Sequence, residues 1–349
     1  YPHSSRAYGA FSCDFIDTAM KSGKPFNLSV SFKAPHKPIK PDPMFDDVYA
    51  NAPFAIPESA ATAPDRLPKQ AKLGRQYMTI NPGKKGYEEH LRGYHQQIYG
   101  VDYAVGMILD KVEAAGIADN TIIIFTSDNG YSLGEHRLGG KVLAYEQSSR
   151  IPLIIVDPRA KAGQQTSSIS GNIDIAPTIL EYAGIDTPEN MDGESLVEIV
   201  KNPRKEVHKD ISLINVWGYP STFSLAIVSD GIKYIYWGYG DKMEPSEELF
   251  DLRNDPNELV NLSADPRYAA KLEHMRSLYD DRLEHWDAND TVDKYLPFTT
   301  ILSRHIAWEE RKKMIPKTVW KSYESTVKRI KEYDGDPYDY DAVIRCVEK

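Results

Sequence analysis

Four side chains capable of metal or anion chemistry lie close together in this 349-residue chain. Asp128 and Asn129 follow an apolar run, and His136 and Lys141 come shortly after them. A carboxylate beside a side-chain amide offers two adjacent oxygen donors, which suit Ca²⁺ or Mg²⁺ better than Zn²⁺. A lysine ammonium is a compact charge suited to an anionic oxygen near such a metal. The stretch therefore predicts a site for a cation and an anionic group.

Each of these signals also has a structural explanation when taken alone. Asp-Asn-Gly at residues 128–130 is a strong turn former. A single lysine such as Lys141 is most often an exposed surface group. His36 ends another apolar run, and it would meet Asp128 only if the two segments were neighbouring strands. Taken singly, His36 is typical of an exposed loop histidine.

The apolar pattern predicts elements that would position these side chains. Residues 26–32 and 121–125 are typical of buried strands, and they end just before His36 and Asp128. In open α/β sheets, ligands bind beyond the carboxyl ends of the strands. A helical repeat covers residues 88–115, and Gly116 lies where a helix would end. If these two strands are near neighbours in the sheet, their ends deliver the candidate residues to one crevice.

Two domains are expected from the order of these elements. A further strand at 152–156 and a helix at 173–182 predict a mainly parallel sheet sandwiched by helices over residues 1–206. The pattern then changes to a hairpin at 224–237 and a strand at 249–252, followed by a helix from residue 268 to 286. The fold class is therefore α/β, with a small antiparallel subdomain and helical tail over residues 207–349.

Composition argues against several classes of partner. Lys and Arg number 42 against 51 Asp and Glu, for a net charge of -9, and the basic residues are scattered, which argues against nucleic acid. No run approaches the ~18 to 20 apolar residues of a membrane span. Cys13 and Cys346 have neither metal spacing nor a disulfide pattern. We expect a soluble globular protein with no membrane span.

Several ordered blocks closely resemble the type I sulfatases of the alkaline phosphatase superfamily. The blocks are Ala34-Pro-His36-Lys-Pro, Thr126-Ser-Asp128-Asn129-Gly-Tyr-Ser-Leu-Gly-Glu-His136, Gly140-Lys141, Tyr145-Glu146-Gln-Ser-Ser-Arg150-Ile-Pro, Asp174-Ile-Ala-Pro-Thr-Ile-Leu, Met191-Asp-Gly-Glu-Ser-Leu and Glu248-Leu-Phe-Asp-Leu-Arg-Asn-Asp-Pro-Asn-Glu. Together they cover roughly residues 11–262 in the order of the family.

The resemblance implies hydrolysis of a sulfate monoester, on a sulfated carbohydrate. It implies that Asp128 and Asn129 form half of a divalent metal shell, for calcium or magnesium. His36 and Lys141 match the positions that hold the sulfate group. Lys141 would lie near the metal, and His36 would assist either the leaving oxygen or the breakdown of the covalent intermediate. His136 resembles a substrate contact of this family. The family also implies a secreted or periplasmic location.

The chain departs from the family at the nucleophile. That group is a formylglycine made from the Cys or Ser that opens a Cys-x-Pro-Ser-Arg motif, on an N-terminal segment that also supplies an Asp-Asp pair. Neither Cys13, Cys346 nor the stretch at residues 2–6 fits this motif. We expect the nucleophile on the N-terminal part of the same enzyme, as a separate chain or an unrecorded segment, and no activity without it.

Two other functions remain open from the sequence. One is a phosphoesterase or phosphonate hydrolase of the same superfamily, although Asn129 argues against it because an amide oxygen suits zinc less well than imidazole. The other is a non-catalytic homologue that binds sulfated glycans. The resemblance to the sulfatases implies a structural or supporting role for Glu146 and Arg150.

Overall fold

A computed structural model describes residues 3–72, 80, 82–83, 85–216, 222–238, 245–289, 298–314 and 317. Its helices are α1 (Ser4–Ser22), α2 (Glu58–Arg66), α3 (Lys69–Lys72), α4 (Tyr87–Ala114), α5 (Glu146–Ser149), α6 (Ile175–Tyr182), α7 (Val197–Lys201), α8 (Ala269–Asn289), α9 (Phe298–Leu302) and α10 (Trp308–Met314). Its strands are β1 (Ile123–Thr126), β2 (Ser132–Leu133), β3 (Gly139–Gly140), β4 (Leu153–Val156), β5 (Asp210–Asn215), β6 (Ser224–Ser229), β7 (Ile232–Trp237) and β8 (Ser246–Asp251).

The chain divides into two compact units. Unit 1 contains Tyr1–Ile56, Gly83–Phe125 and Leu153–Gln164, and unit 2 contains Pro57–Pro82, Thr126–Pro152 and Gln165–Lys349. The predicted domain boundary after residue 206 stays a prediction. Within the described ranges, no helix is long and apolar enough to cross a membrane.

Unit 1 is built on two long helices and a short sheet. α1 packs against α4, and a Cβ added at Gly9 would lie 3.0 Å from the Met107 sulfur, so the small residue permits this close approach. α1 ends at Gly23, whose φ of 64° suits a left-handed C-cap. β1 and β4 pair in a two-stranded sheet. The predicted helix over residues 88–115 and the strands near 121–125 and 152–156 are confirmed.

The predicted strand over residues 26–32 is wrong. Among the described residues no strand is assigned there, although side chains 28–32 alternate between partly buried and exposed. Phe26 and Phe32 instead make edge-to-face ring contacts with Phe15 and Tyr8 of α1. The apolar pattern therefore reflects packing on a helix, because alternation alone does not provide a hydrogen-bonded neighbour.

Unit 2 is centred on an antiparallel sheet in the order β5-β6-β7-β8. The predicted hairpin is confirmed, and Asp230 and Gly231 at its turn have φ values of 48° and 73°, as a two-residue primed turn requires. The edge strand β5 was not predicted. One sheet face packs against α8, and the other packs against residues Leu138–Tyr145, the segment that carries Lys141.

Candidate functional site

The Asp-Asn-Gly turn follows β1 directly. The Asp128 carboxylate accepts a hydrogen bond from the Asn129 backbone N–H at 2.9 Å, and the Ser127 hydroxyl donates to the Asn129 carbonyl at 2.9 Å. Asn172 donates to the Asp128 carbonyl at 2.8 Å. The Asp128 side chain is exposed. Hydrogen bonds to its backbone therefore fix the turn, while the Asp128 carboxylate stays accessible.

Asn129 and Lys141 are in direct contact. The Lys141 ammonium donates to Asn129 Oδ1 at 2.9 Å, and Asn129 Nδ2 donates to the Gly130 carbonyl at 2.7 Å. An ammonium has donors only, so the amide oxygen must be the atom that faces Lys141. The structure thus brings two of the predicted site residues together and fixes the orientation of the amide.

A tight hairpin presents Lys141 to this turn. β2 and β3 pair antiparallel, and a Cβ at Gly139 would lie 2.7 Å from the Ile80 backbone nitrogen, so only glycine fits there. His136 at the tip and Val142 just beyond Lys141 have positive φ values of 52° and 96°. Non-glycine residues adopt such values at a cost on the order of 1–3 kcal/mol each, and only where surrounding contacts impose them.

His136 is fully buried, and both of its ring nitrogens are engaged. Arg66 lies 2.7 Å from Nδ1 and can only donate, so Nδ1 is the acceptor and Nε2–H donates to Gln147 Oε1 at 3.2 Å. The ring stacks on Tyr145 at 4.7 Å. Burial, together with the Arg66 charge, lowers the pKa of His136 to about 3. A substrate contact by this ring stays a prediction that the geometry does not favour.

His36 belongs to unit 1, whereas the other four predicted residues belong to unit 2. Its side chain is exposed. Nδ1 lies 2.9 Å from the Lys37 carbonyl, which can only accept, and 3.2 Å from Lys33 Nζ, which can only donate. Both contacts involve Nδ1, and neither involves Nε2. The convergence of His36 with Asp128, Asn129 and Lys141 stays a prediction.

Helix α5 packs directly behind the Asp-Asn-Gly turn. The Gly130 N–H donates to the Ser148 carbonyl at 3.1 Å. A Cβ at Gly130 would lie 2.3 Å from the Gln147 carbonyl oxygen and 2.9 Å from that of Arg150. Any side chain at this position would therefore separate the turn from α5.

A buried ionic cluster lies beneath α5. The Lys233 ammonium donates to the Ala144 carbonyl at 2.8 Å and contacts the carboxylates of Glu146 at 2.7 Å and Glu258 at 2.9 Å. Lys233 and Glu258 are both fully buried. Glu146, predicted to be structural, therefore pairs with a cation from the sheet.

A second buried carboxylate borders the cluster. Glu248 Oε2 accepts hydrogen bonds from the Tyr145 hydroxyl and the Trp237 indole N–H, each at 2.8 Å. Oε1 has no hydrogen-bond partner among the described residues. Burial raises the pKa of Glu248 to about 7. The group therefore changes charge near neutral pH.

The sequence-based prediction assigned no role to four residues of this region, which are Arg66, Gln147, Lys233 and Glu258. Gln147 and Glu258 lie within the blocks that resemble the sulfatase family. Lys233 had a different signal, since it shares a strand face with apolar residues of β7 and a charge in that position requires a buried partner. Arg66 becomes a functional candidate only through contacts between distant segments.

Asp128 and Asn129 fit a divalent cation only in part. Their two adjacent oxygens are suitable donors for Ca²⁺, which takes about six to eight oxygen ligands. Within the part of the chain that the structure describes, no group of three or more His, Cys, Asp or Glu side chains is placed to hold a metal ion. The two residues are thus candidates for one side of a shell.

Two family models match this chain. The model described as Sulfatase matches residues 3–185, which is more than half of the chain. The model described as N-sulphoglucosamine sulphohydrolase, C-terminal, matches residues 134–285. The two matches overlap over residues 134–185, so both include His136, Lys141 and α5.

Individual relatives agree with the family models. The chain is 34% identical over 215 residues to an N-acetylglucosamine-6-O-sulfatase of Bacteroides thetaiotaomicron, covering 60% of this chain and 38% of that protein. It is 31% identical over 274 residues to a choline-sulfatase of Rhizobium meliloti, covering 76% and 52%. The chain therefore spans about half the length of these relatives, or less.

A solved structure shows the same fold. BT4656, determined in complex with its substrate D-glucosamine-2-N,6-O-disulfate, matches with a TM-score of 0.75 at 26% identity, covering 84% of this chain and 72% of that one. This likeness confirms the predicted α/β, alkaline-phosphatase-like fold with its small antiparallel sheet. Together with the family models, it establishes that the chain belongs to the sulfatase family of the alkaline phosphatase superfamily.

Proposed function

We propose that the protein containing this chain hydrolyses a sulfate monoester on a sulfated sugar. The observation that carries the proposal is the contact between Lys141 and Asn129 at the end of β1, in a chain of the sulfatase family. The names of two similar proteins, an N-acetylglucosamine-6-O-sulfatase and a complex with a glucosamine disulfate, favour a sulfated amino sugar.

The chemistry of sulfate ester cleavage suits these residues. Negative charge grows on the bridging oxygen as the S–O bond breaks, so catalysis needs cations on the nonbridging oxygens and a donor at the leaving oxygen. We assign Lys141 to a nonbridging oxygen, with Asn129 Oδ1 orienting its ammonium. We assign His36 to the leaving oxygen, which its exposed imidazole is suited to protonate or hydrogen-bond.

A divalent cation completes the proposed site. Asp128 and Asn129 would provide two of its oxygen ligands, and calcium, or magnesium in its place, suits this donor set. When bound, the cation supplies a Lewis acid for the sulfate oxygens. Asn129 Oδ1, which accepts the hydrogen bond from Lys141, would be one of these ligands.

The nucleophile is proposed to lie on a further polypeptide segment, a formylglycine on the N-terminal part of the enzyme. Unit 1 exposes large apolar side chains, with relative exposures of 59% for Phe11, 56% for Ile154 and 49% for Val156. Such residues favour cover by more polypeptide. We call this chain together with that segment the intact protein, and we propose a secreted or periplasmic location for it.

Sulfate release from glucosamine 6-sulfate by the intact protein tests the proposal. We expect calcium-dependent or magnesium-dependent release that a Lys141→Met variant loses. Stoichiometric zinc with hydrolysis of a phosphonate monoester would support the alternative hydrolase instead. Binding of the sulfated sugar without sulfate release, in a protein confirmed to carry the Cys-x-Pro-Ser-Arg motif, would support the glycan-binding alternative.

A further inference from the structure

The buried ammonium of Lys233 uses all three of its donors. They reach the Ala144 carbonyl, Glu146 Oε1 and Glu258 Oε1 at 2.8, 2.7 and 2.9 Å. Two of these acceptors, on Ala144 and Glu146, lie in the segment just after Lys141. A cation with three donors and three acceptors has no freedom to reorient. Lys233 therefore ties this segment to the sheet.

The second carboxylate oxygen of Glu258 restrains the same segment. Its Oε2 accepts from the Glu146 backbone N–H at 2.7 Å. Glu146 is the first residue of α5, and the preceding residue, Tyr145, makes no capping bond with its side chain. A carboxylate on the first N–H of a helix takes the place of such a cap. Lys233 in turn holds Glu258 in place.

We call Lys233 with its partners Glu146 and Glu258 the anchor. Two short connections join this anchor to the candidate site. On one side, α5 accepts the Gly130 N–H at the Ser148 carbonyl, immediately beside Asn129. On the other side, Val142 links Lys141 to the anchored Ala144 with a φ of 96°. A β-branched residue keeps such a φ only under external restraint. Both partners of the Lys141–Asn129 contact are thus held through the anchor.

We propose that Lys233 is a positioning residue that holds the Lys141 ammonium against Asn129. It acts through the Ala144 carbonyl and the Glu146 carboxylate, and it touches neither Lys141 nor Asn129. The catalytic consequence rests on the proposed sulfatase function, whereas the geometric claim does not depend on it.

The chain provides a matched control on the other face of the sheet. Arg311 is 2% exposed, and its guanidinium donates to the Ile301 carbonyl at 2.9 Å and the Ile306 carbonyl at 2.6 Å. It also contacts Tyr236, which packs on the face opposite to Lys233. Arg311→Met thus removes a comparable buried cation whose described bonds do not involve residues 141–150.

Deamidation at Asn129-Gly130 provides a readout without catalysis. In this reaction the Gly130 nitrogen attacks the Asn129 side-chain carbonyl carbon, ammonia leaves, and water opens the succinimide to aspartate or isoaspartate. The bond from Gly130 N–H to the Ser148 carbonyl and the contact of Lys141 with Asn129 both restrain this attack. Loosening α5 should therefore accelerate it.

The experiment compares Lys233→Met, Arg311→Met and the parent in the intact protein. Peptide mass spectrometry follows deamidation at Asn129, and we expect Lys233→Met to accelerate it roughly tenfold, because it removes the bonds that hold α5. Steady-state kinetics on glucosamine 6-sulfate should show kcat lowered roughly 100-fold with little change in KM, since small misplacements of a catalytic group cost about that much. Arg311→Met should match the parent in both measurements.

Lys233→Met with parental deamidation and kcat would overturn the proposal, and so would an Arg311→Met variant that loses as much. If Lys233→Met does not fold, Glu258→Gln replaces it. That variant keeps the side-chain shape but weakens the contact with Lys233, so it should accelerate deamidation in the same direction. A parent that releases no sulfate refutes the proposed function alone, since the deamidation comparison still decides the positioning claim.

Discussion

The contact between Lys141 and Asn129 gives the candidate site its specific chemistry. A lysine this close to an amide oxygen is oriented before any substrate arrives, so little conformational entropy remains to be lost on binding. The carboxylate of Asp128 beside it is exposed and accessible to the proposed cation. These individual groups can be tested by substitutions that leave the fold intact.

Lys141→Met should lower kcat/KM for sulfate release by roughly 10²–10³-fold, the usual cost of removing one donor to a developing negative charge. The melting temperature of the intact protein should change little, because Lys141 is only partly buried. Lys161→Met, at an exposed lysine, is the control and should leave both quantities unchanged. Parental kcat/KM in Lys141→Met would remove Lys141 from the site.

Glu248 and His136 should give the free energy of unfolding opposite pH dependences. The folded pKa of Glu248 is raised to about 7, so between about pH 4.5 and 7 the folded state keeps a proton that the unfolded state has lost, and stability falls as pH rises. The folded pKa of His136 is lowered to about 3, so stability falls as pH drops from about 6.5 towards 3.

Glu248→Gln should remove the first of these effects. The amide mimics the protonated carboxyl, so the variant lacks this loss of stability. From pH 5 to pH 8, the free energy of unfolding of the parent should fall by about 3 kcal/mol more than that of the variant. Denaturant unfolding of the intact protein at the two pH values measures this difference. Glu189→Gln, at an exposed position, should not alter it. An unchanged difference in Glu248→Gln would mean that Glu248 is ionised throughout that range.

Short secondary-structure elements position the residues of the candidate site. The hairpin β2–β3 and the single-turn helix α5 have few internal hydrogen bonds, so their conformations depend on neighbours such as the Lys233 cluster and Arg66. The sequence predicts the long helix α4 well because its apolar repeat extends over many turns. It does not predict α5, because a four-residue helix contains no comparable repeat.

Gly130→Ala tests the packing of α5 on the Asp-Asn-Gly turn. The added Cβ meets two backbone carbonyls, which cannot move aside as a flexible side chain would, so both sulfate release and the melting temperature should fall. Gly106→Ala in α4 is the control, because no atom lies within 4 Å of its added Cβ and alanine favours a helix by about 1 kcal/mol. Equal behaviour of the two variants would contradict this packing.

At the level of the entire chain, the exposed apolar surface of unit 1 favours association with other polypeptide. Unit 1 leaves Phe11, Ile154 and Val156 largely exposed. β4 is one of only two described strands in its sheet, so its apolar side chains are poorly covered. Exposed apolar strands favour association with other polypeptide.

We expect the chain expressed alone to be insoluble or self-associated, and to become soluble when co-expressed with the N-terminal part of the enzyme. Size-exclusion chromatography with thermal melting would measure both states. A soluble monomer of 39.4 kDa that melts cooperatively without a partner would contradict this expectation. An Ile154→Thr variant should reduce self-association without affecting α5.

Local sequence established the identity and order of the chemical groups. The Asp-Asn-Gly turn after an apolar run, Lys141 beyond it, the long α4 repeat and the β6–β7 hairpin all follow from spacings of a few residues. Packing between distant segments established the rest: Lys233 reaches a carbonyl 89 positions earlier, and Arg66 reaches a histidine 70 positions later. Periodicity records whether a side chain is buried, but not which distant group it meets. For that reason the segment 26–32 packs against α1 through Phe26 and Phe32 instead of pairing in a sheet. His136 is likewise buried, which its sequence position did not predict.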